Sequence, residues 1–302
     1  MLPFGVQQGG ERNNMFKSNK TAWLFVSPAL ALLLIFKIWP IGVSFFESFM
    51  QSSFSGKKSF VGLENYSYLF LHDPTFWNSV KVTFIFSLLA NPIILVVSLV
   101  MALLLNEKHF FTKFFRTVFF LPTAISFSVV AVIFAVVLDP YNGLANSFLK
   151  LLGQKSQPFF GSVDQALWCI IWLCVWRSAG YWMMYFLAGL QNIPQTIYEA
   201  AQIDGANGLQ RLFGLTLPLL SRTTSFVLVS NTAFNFLMFA PVYIITTGGP
   251  RGSTNLLMYE SYTSAFVIAD MGRASAITSI LLIIIMIFSF VELRLTKARF
   301  EY

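Results

Sequence analysis

Charged residues are scarce in this chain, since Asp, Glu, Lys and Arg together make up only 11% of its 302 positions. Soluble domains carry about 25% charged residues, which they need on the surface that faces water. Hydrophobic residues make up 56% of the chain. The shortage of charge therefore argues against a soluble enzyme, and the high apolar content excludes an intrinsically disordered protein.

Cysteine and histidine are also rare. Cys169 and Cys174 lie five positions apart in one apolar run, and that spacing places them on different faces of a helix. This arrangement indicates neither a disulfide framework nor a zinc site. His72 and His109 lie in polar loops, and we predict that the chain binds no metal and no cofactor. The net charge of +7 does not indicate a nucleic-acid partner, because the basic residues are spread between apolar segments.

Six apolar runs are long enough to cross a bilayer, which requires about 20 residues per helix. Two of them contain an interior basic residue, Lys37 in the first and Arg177 in the fourth. Pro92 and Pro122 interrupt the second and third runs and predict kinks, which either line a cavity or are simple packing kinks. The runs predict an all-α membrane protein with six transmembrane helices at residues 23–46, 82–105, 117–138, 166–190, 218–245 and 274–293.

Lysine and arginine set the predicted orientation. They are denser at both ends of the chain and in the loops after the second and fourth runs than in the remaining loops. Cytoplasmic segments carry this excess, so both termini are predicted to be cytoplasmic. Residues 1–20 form a predicted polar cytoplasmic segment that lacks the apolar core of a signal peptide. Residues 21–302 form a single predicted six-helix domain.

The loop at about 191–218, between the fourth and fifth runs, contains helix signals. Pro194 suits the first turn of a helix, and Gly205 is suited to a left-handed conformation at its end. Asn207 and Gln210 have the spacing of a capping box for a second helix. The pattern predicts a cytoplasmic helix–turn–helix that a soluble partner binds. An amphipathic hairpin at the membrane interface is the alternative.

The same loop resembles the EAA loop of ABC importer permeases. It contains Glu199-Ala200-Ala201, then Gly205 after three residues, and later Leu217-Pro218. In that family the loop forms a coupling helix that docks into the ATPase subunit. The resemblance implies an ATPase-coupling role for Glu199, Ala200, Ala201, Asp204, Gly205, Ala206, Phe213, Leu217 and Pro218.

Further motifs resemble the MalF-like permease subunits of carbohydrate importers. They include Trp39-Pro40 upstream, and Thr247-Gly248-Gly249-Pro250 and Met271-Gly272 downstream. The resemblance implies a multi-pass transporter subunit of the bacterial cytoplasmic (inner) membrane, not an enzyme. It also implies a second, MalG-like permease subunit, an ATPase pair that binds ATP and magnesium, an extracytoplasmic solute-binding protein and surrounding membrane lipid.

Candidate substrate-binding residues occur in the fifth and fourth runs. Asn231, Phe234, Asn235 and Met238 have the spacing of one helix face, where amides suit hydroxyl groups and an aromatic ring suits a sugar ring. The MalF-like family places sugar contacts on the segment that matches residues 233–236. The alternative is that these amides only join helices. In the fourth run, the candidates are Arg177, Gly180, Tyr181 and Trp182.

Arg177 leaves the charge of the cargo open. An arginine at membrane depth is a functional candidate, so it either binds an anionic sugar derivative, such as a uronate or a phosphorylated polyol, or anchors its helix at the interface. Lys37 is predicted to extend toward the interface. A self-contained secondary transporter is less favoured, because no acidic residue lies well inside a run. A membrane enzyme would need a catalytic cluster, and the sequence shows none.

Overall fold

The structure is a computed structural model that describes residues 18–52, 58–107 and 110–296. Most of the predicted N-terminal segment, and His109, lie outside the described residues. The first helical unit consists of α1 (Ser18–Leu33), a π turn (Leu34–Ile38) and α2 (Trp39–Glu47). A short antiparallel hairpin of β1 (Met50–Ser52) and β2 (Lys58–Phe60) follows it. This hairpin is the departure from the all-α prediction among the described residues.

The next helices run from the hairpin to the 191–218 loop. Asp73 caps the long helix α4, because its Oδ1 accepts a hydrogen bond from the Phe76 amide at 3.0 Å. Pro92 lies inside α4 without ending it. These helices are α3 (Glu64–His72), α4 (Pro74–Leu104), α5 (Thr112–Phe120), α6 (Phe127–Val137), α7 (Leu144–Leu151) and α8 (Ala166–Gln191), with 3₁₀ turns at Leu121–Ala124 and Phe159–Gly161.

The C-terminal part of the chain is divided into shorter pieces. Three π turns interrupt it, at Leu212–Thr216, Val242–Thr246 and Thr263–Val267. Its helices are α9 (Gln195–Ile203), α10 (Gly208–Arg211), α11 (Leu217–Leu219), α12 (Ser221–Phe236), α13 (Leu257–Tyr262) and α14 (Met271–Leu295).

Three helical segments among the described residues are long and apolar enough to cross a membrane: Trp23–Glu47, Pro74–Leu104 and Met271–Leu295. Two bent helix pairs raise that number to five if each pair is one span. The helix α8 has 26 residues and is not among these segments. The mostly helical architecture is confirmed, whereas the predicted number of six spans stays a prediction.

Two predicted spans are broken: the third by far more than the kink predicted at Pro122, and the fifth where no break was predicted. The third predicted span bends by 97° between α5 and α6. Pro122 cannot donate a backbone hydrogen bond at this break, and Ser126 starts α6 by accepting a hydrogen bond from the Val129 amide. The chain bends by 64° at the beginning of the fifth predicted span, between Gly208–Leu219 and α12. The helix α12 then ends at Phe236, well before the predicted end at residue 245.

The core lies where α4, α8 and α12 pack together. Phe86, Ile94, Met183, Phe186 and Val227 are buried in it. At the beginning of α14, Arg273 Nη2 lies 2.6 Å from Asp73 Oδ2 and 2.7 Å from Glu260 Oε1. This buried ion cluster joins the starts of α4 and α14 to α13. Together the helices hold a cavity between α8, α12 and the break in the third span.

Candidate functional site

The cavity brings most of the predicted substrate-binding residues together. It has a volume of about 500 Å³ and opens among α8, α12 and the turn between α5 and α6. Its wall includes seven of the eight predicted residues: Arg177, Tyr181, Trp182, Asn231, Phe234, Asn235 and Met238. The wall also includes Thr123, Phe127, Ser178, Leu237, Phe239 and Ala240. No acidic side chain is among these described lining residues.

Gly180 is the predicted residue that does not line the cavity. It is buried in α8, and a Cβ atom there would overlap the carbonyl oxygen of Phe119 in α5. Its role in the structure is the close approach of two helices, as small residues allow in membranes. Gly180 thus lies on the predicted helix, at a packing surface between helices and not on the cavity wall.

The amides of α12 are used in hydrogen bonds between helices. Asn91 Oδ1 in α4 accepts hydrogen bonds from Asn231 Nδ2 at 2.5 Å and from Asn235 Nδ2 at 2.7 Å. Asn231 Oδ1 also accepts one from Trp182 Nε1 at 2.8 Å. Both α12 asparagines are 2% exposed. The alternative of amides that join helices therefore describes these contacts, although both residues also border the cavity.

Phe234 and Met238 reach the cavity in different ways. The Phe234 side chain is 61% exposed, and its ring centroid lies 6.1 Å from that of Trp182. Met238 lies beyond the end of α12, so the prediction that it continues the same helix face is wrong. Its buried sulfur instead packs 3.9 Å from Cys174 Sγ. Pro241 cannot donate the backbone hydrogen bond that a continuing helix requires, which favours the end of α12.

Arg177 holds the break in the third span. Its Nε donates to the Ile125 carbonyl at 3.1 Å, its Nη2 donates to the Thr123 carbonyl at 3.2 Å, and Thr123 Oγ1 donates back to the Arg177 carbonyl at 3.0 Å. The guanidinium carbon lies 4.0 Å from the centre of the Phe127 ring. Backbone carbonyls freed by a broken helix need such donors inside a membrane. Arg177 thus has a structural role that neither sequence reading considered.

Asn91 and Thr123 are parts of the site that no sequence motif singled out. Asn91 directly precedes Pro92 in the second apolar run, and Thr123 directly follows Pro122 in the third. A polar side chain in the middle of a membrane run is a signal in itself, because lipid offers it no partner. That signal applied to Asn91, and the structure places it against both α12 asparagines.

The 191–218 loop has the local structure that the sequence predicts. The helix α9 ends at Ile203, and Gly205 has a φ of 77°. The Ala206 amide donates to the Ala201 carbonyl at 2.9 Å, which is the bond that closes a Schellman turn. The Asn207–Gln210 capping box is present in both directions. These findings confirm the predicted helix–turn–helix.

Apolar and small side chains face outward from this loop. Ile203 is 86% exposed, Leu209 69% and Phe213 66%. Glu199, Ala200, Asp204 and Gly205 are exposed, whereas Ala201, Ala206, Leu217 and Pro218 are half-buried. Tyr198 joins α9 to the following segment through a 3.2 Å contact between its hydroxyl and Thr216 Oγ1. The loop is therefore a preformed surface, anchored at one edge.

In the described ranges, no group of three His, Cys, Asp or Glu side chains is arranged for a metal ion.

Sequence comparisons with known proteins find similarity over nearly the whole chain. Residues 94–299 match the family model described as a binding-protein-dependent transport system inner membrane component. The chain is 36% identical to the probable ABC transporter permease protein YurN of Bacillus subtilis, over 94% of this chain and 98% of that protein. It is 34% identical to the arabinooligosaccharides transport system permease protein AraP of Bacillus subtilis, over 98% of this chain and 94% of the relative.

Other similarities agree with these. The sn-glycerol-3-phosphate transport system permease protein UgpA of Agrobacterium fabrum is 32% identical over 95% of this chain and 98% of its own length. A bacterial ABC transporter for the import of the acidic polysaccharide alginate has a chain with a TM-score of 0.82 and 22% identity, covering 95% of this chain and all of that one. At that identity, the likeness shows the fold.

These similarities confirm three predictions made from the sequence. The relatives are ABC transporter permeases, so the chain is a transporter subunit and not an enzyme, and ATP hydrolysis belongs to separate subunits. Its place is the inner membrane, which it crosses several times. The predicted resemblance to ABC importer permeases is correct, and the chain belongs to the family of binding-protein-dependent transport system inner membrane components.

Proposed function

We propose that this chain is one of two permease subunits of an ATP-driven importer for a carbohydrate, and that its cavity binds the cargo during passage. The observation that carries this proposal is the cavity wall. It combines an exposed aromatic ring, Phe234, with the amides of Asn231 and Asn235 and the hydroxyl-bearing Thr123 and Ser178. Flat aromatic surfaces suit sugar rings, and amides and hydroxyls suit their hydroxyl groups.

The aromatic part of the wall extends beyond Phe234. The Trp182 ring packs at 4.8 Å from Tyr181, and the Tyr181 hydroxyl lies 3.0 Å from that of Tyr185. Phe127 and Phe239 complete an apolar surface around the polar groups. A mainly apolar cavity with a few placed polar groups is the usual form of a small-molecule site. Carbohydrates present this same mixture of apolar ring faces and hydroxyl edges.

The same proposal assigns the 191–218 loop to the ATPase subunits. Exposed Ile203, Leu209 and Phe213 form an apolar surface beside the acidic Glu199 and Asp204. A surface of that kind on the aqueous side marks a protein contact. Closure of the ATPase dimer on ATP and magnesium would then move the loop and open the cavity to the opposite side, as two-state transporters require.

The proposed assembly also contains a second, MalG-like permease, two ATPase copies and an extracytoplasmic binding protein, all within membrane lipid. The similarity to AraP and UgpA supports a carbohydrate or sugar derivative as cargo. A related alginate ABC transporter forms a complex with a pentasaccharide-bound periplasmic protein, which supports the binding-protein partner.

Reconstitution tests this proposal directly. The chain is co-expressed with its second permease and ATPase pair, and the complex is placed in liposomes. The binding protein and one probe are added on the extracytoplasmic side, and ATP on the other side. The probes are arabinotriose, an alginate trisaccharide and sn-glycerol 3-phosphate. We expect ATP-dependent accumulation of one probe and stimulation of ATPase activity by the loaded binding protein. Accumulation driven by an ion gradient without ATP would contradict the proposal and favour a secondary transporter.

The loop assignment has its own test. Ile203→Asp changes an 86% exposed side chain, so the permease should fold normally. We expect it to lose the ATPase subunits on size-exclusion chromatography, because a charge replaces an apolar contact at the proposed interface. The matched control is Leu71→Asp, which changes an exposed leucine of α3 that lies far from the loop in sequence. Retention of the ATPase by Ile203→Asp would contradict the docking role.

An anionic sugar derivative is the second candidate cargo. The observation that favours it is Arg177, a cation on a cavity wall whose described residues include no carboxylate. Its Nε and Nη2 donate to backbone carbonyls, and no described residue accepts a hydrogen bond from its Nη1. In the liposome assay, preference for the alginate trisaccharide or glycerol 3-phosphate over arabinotriose would support this candidate.

We further propose six membrane-crossing helices with both termini in the cytoplasm. In a background with Cys169 and Cys174 replaced by alanine, Gln202→Cys and Arg251→Cys are compared in intact spheroplasts. Both positions are exposed. An impermeant thiol reagent added outside should label the cysteine at position 251 and not the one at position 202. Labelling only at position 202 would reverse the orientation.

A further inference from the structure

We propose that a buried hydrogen-bond chain from Glu292 through Thr232 and Asn91 fixes the orientation of the Asn235 amide, so that Asn235 presents its oxygen to a hydroxyl group of the cargo. Asn91 and Thr232 lie behind the cavity wall and do not line it. They are therefore positioning residues. This inference rests on the proposed function of the cavity as a carbohydrate site.

The direction of the chain is set first at α14. Thr232 Oγ1 donates to Glu292 Oε1 at 2.8 Å. A hydroxyl group has one hydrogen, so Thr232 can meet Asn91 only as an acceptor. Asn91 Nδ2 accordingly donates to Thr232 Oγ1 at 2.9 Å, and also to Ser87 Oγ at 3.0 Å. The Asn91 amide group is thereby turned toward Thr232, and its oxygen toward the α12 asparagines.

The other end of the network gives the same direction independently. The indole of Trp182 is a donor only, and it donates to Asn231 Oδ1 at 2.8 Å. Asn231 must therefore turn its Nδ2 toward Asn91, whose Oδ1 accepts at 2.5 Å. The Trp182 indole at one end and the Glu292 carboxyl oxygen at the other thus require the same orientation of Asn91, with its oxygen toward the α12 asparagines. Thr232 is fully buried and Asn91 is 7% exposed, so bulk water has little access to replace these partners.

Asn235 receives its orientation from Asn91. Its Nδ2 donates to Asn91 Oδ1 at 2.7 Å, and no described residue donates to its Oδ1. Because the nitrogen of this planar amide is held by Asn91, the other arm of the amide, its oxygen, is not used in that bond. Asn235 borders the cavity, so this oxygen is available to a ligand that donates a hydrogen bond. A hydroxyl group of a carbohydrate is such a donor, whereas a fluorine atom in its place is not.

Thr232→Val and Thr232→Ser test this relay as a matched pair. Valine keeps the shape of threonine and removes the hydroxyl group, and serine keeps the hydroxyl group. Each variant is reconstituted with the second permease, the ATPase pair and one binding protein. The probes are arabinotriose, an alginate trisaccharide, sn-glycerol 3-phosphate and their monodeoxyfluoro derivatives. Because the binding protein is the same throughout, its own preference cancels when variants are compared.

We expect the wild type and Thr232→Ser to discriminate against at least one fluoro derivative by about tenfold in kcat/KM. A site that hydrogen-bonds a hydroxyl rejects the analogue that lacks it. In Thr232→Val the amides lose their fixed direction, so the discrimination between each probe and its fluoro derivative should fall to about threefold or less. The change should be in the ratio of the KM values, with basal ATPase activity unchanged. Glu292→Met removes the acceptor at the end of the same hydrogen-bond chain and should have the same effect. It replaces Thr232→Val in the test if that variant assembles poorly.

Two results would overturn the relay. One is wild-type discrimination in both Thr232→Val and Glu292→Met. The other is a fall in kcat that is equal for each probe and its fluoro derivative, because that pattern indicates a general structural defect. Failure of the wild-type complex to transport any of the parent probes would instead count against the proposed carbohydrate function, so the two failures are distinguishable.

Discussion

The cavity contains buried polar groups, whereas the 191–218 loop has exposed apolar side chains. At the cavity, amide groups lie buried between membrane helices and bond one another across α4, α8 and α12. At the loop, apolar side chains such as Ile203 and Phe213 are exposed. Buried polar groups need partners inside the protein, whereas an exposed apolar surface needs a partner outside it.

This difference separates two kinds of order. The loop is ordered by its own backbone, through the Gly205 turn and the Asn207 capping box, so its local sequence is sufficient to specify it. The cavity is ordered by contacts between residues more than a hundred positions apart, such as Asn91 and Asn235. Substitutions in the loop should therefore act on partner binding, and substitutions at the cavity should act on both packing and cargo.

The largest effect is expected from Gly205→Val. The φ of 77° at this position is unfavourable for residues with a Cβ atom, by roughly 1–2 kcal/mol, and more for a β-branched one. Relief of this strain would turn the end of α9 away from its present direction. We expect substrate-stimulated ATPase activity of the complex to fall at least tenfold. Gly208→Ala is the control, because Gly208 lies in α10 with open space around it. Normal stimulation in Gly205→Val would contradict a coupling role.

A smaller effect is expected at the cavity wall. Phe234→Ala removes a largely exposed aromatic ring, so the stability of the protein should change little while carbohydrate uptake falls about tenfold, which corresponds to about 1.4 kcal/mol. Phe226→Ala is the matched control, because Phe226 is an exposed residue of the same helix that packs on Tyr185 and does not line the cavity. Equal losses in the two variants would show that α12 has no special sugar-binding surface.

Replacement of Arg177 should lower the thermal stability of the protein, and it should also lower cargo uptake. Arg177→Gln removes two charge-assisted hydrogen bonds to the carbonyls of Thr123 and Ile125, and we expect a lower thermal midpoint, equivalent to about 2 kcal/mol. If the cargo is neutral, uptake should fall only with the loss of folded protein. If it is anionic, uptake per folded complex should fall at least tenfold further. An unchanged midpoint would show that Arg177 does not hold the break.

The smallest effect is expected from Tyr198→Phe. This change removes the 3.2 Å contact with Thr216 that anchors α9, and such a half-buried hydrogen bond contributes about 0.5–1.5 kcal/mol. We expect a slightly lower thermal midpoint and a small loss of ATPase coupling. Thr216→Val should give a similar change, and the double variant should equal either single one if the pair acts together. Full additivity would show that the contact does not anchor the loop.

The sequence predicts what local rules determine. The fourth predicted span, 166–190, agrees with α8 to within a residue, because a long apolar run specifies a buried helix. The Gly205 turn and the capping box follow from backbone preferences over a few positions. Such features need no knowledge of the remaining chain.

Features that depend on distant partners could not be predicted in this way. Pro122 indicates a kink, but the donor to the carbonyls at the 97° break is Arg177, which lies more than fifty residues later in the chain. Gly180 resembles a site residue until Phe119 is known to pack against it. For Asn235, the sequence supplies the amide group, whereas its direction depends on a carboxyl group in α14.

The bond between Arg177 and the broken span also matters for protein engineering. A chimera that exchanged α8 alone between two related permeases would join one parent's arginine to the other parent's turn. The carbonyls of Thr123 and Ile125 would then depend on a donor selected for a different backbone. A chimera should therefore exchange residues 121–127 together with α8, so that Arg177 meets the turn of its own parent.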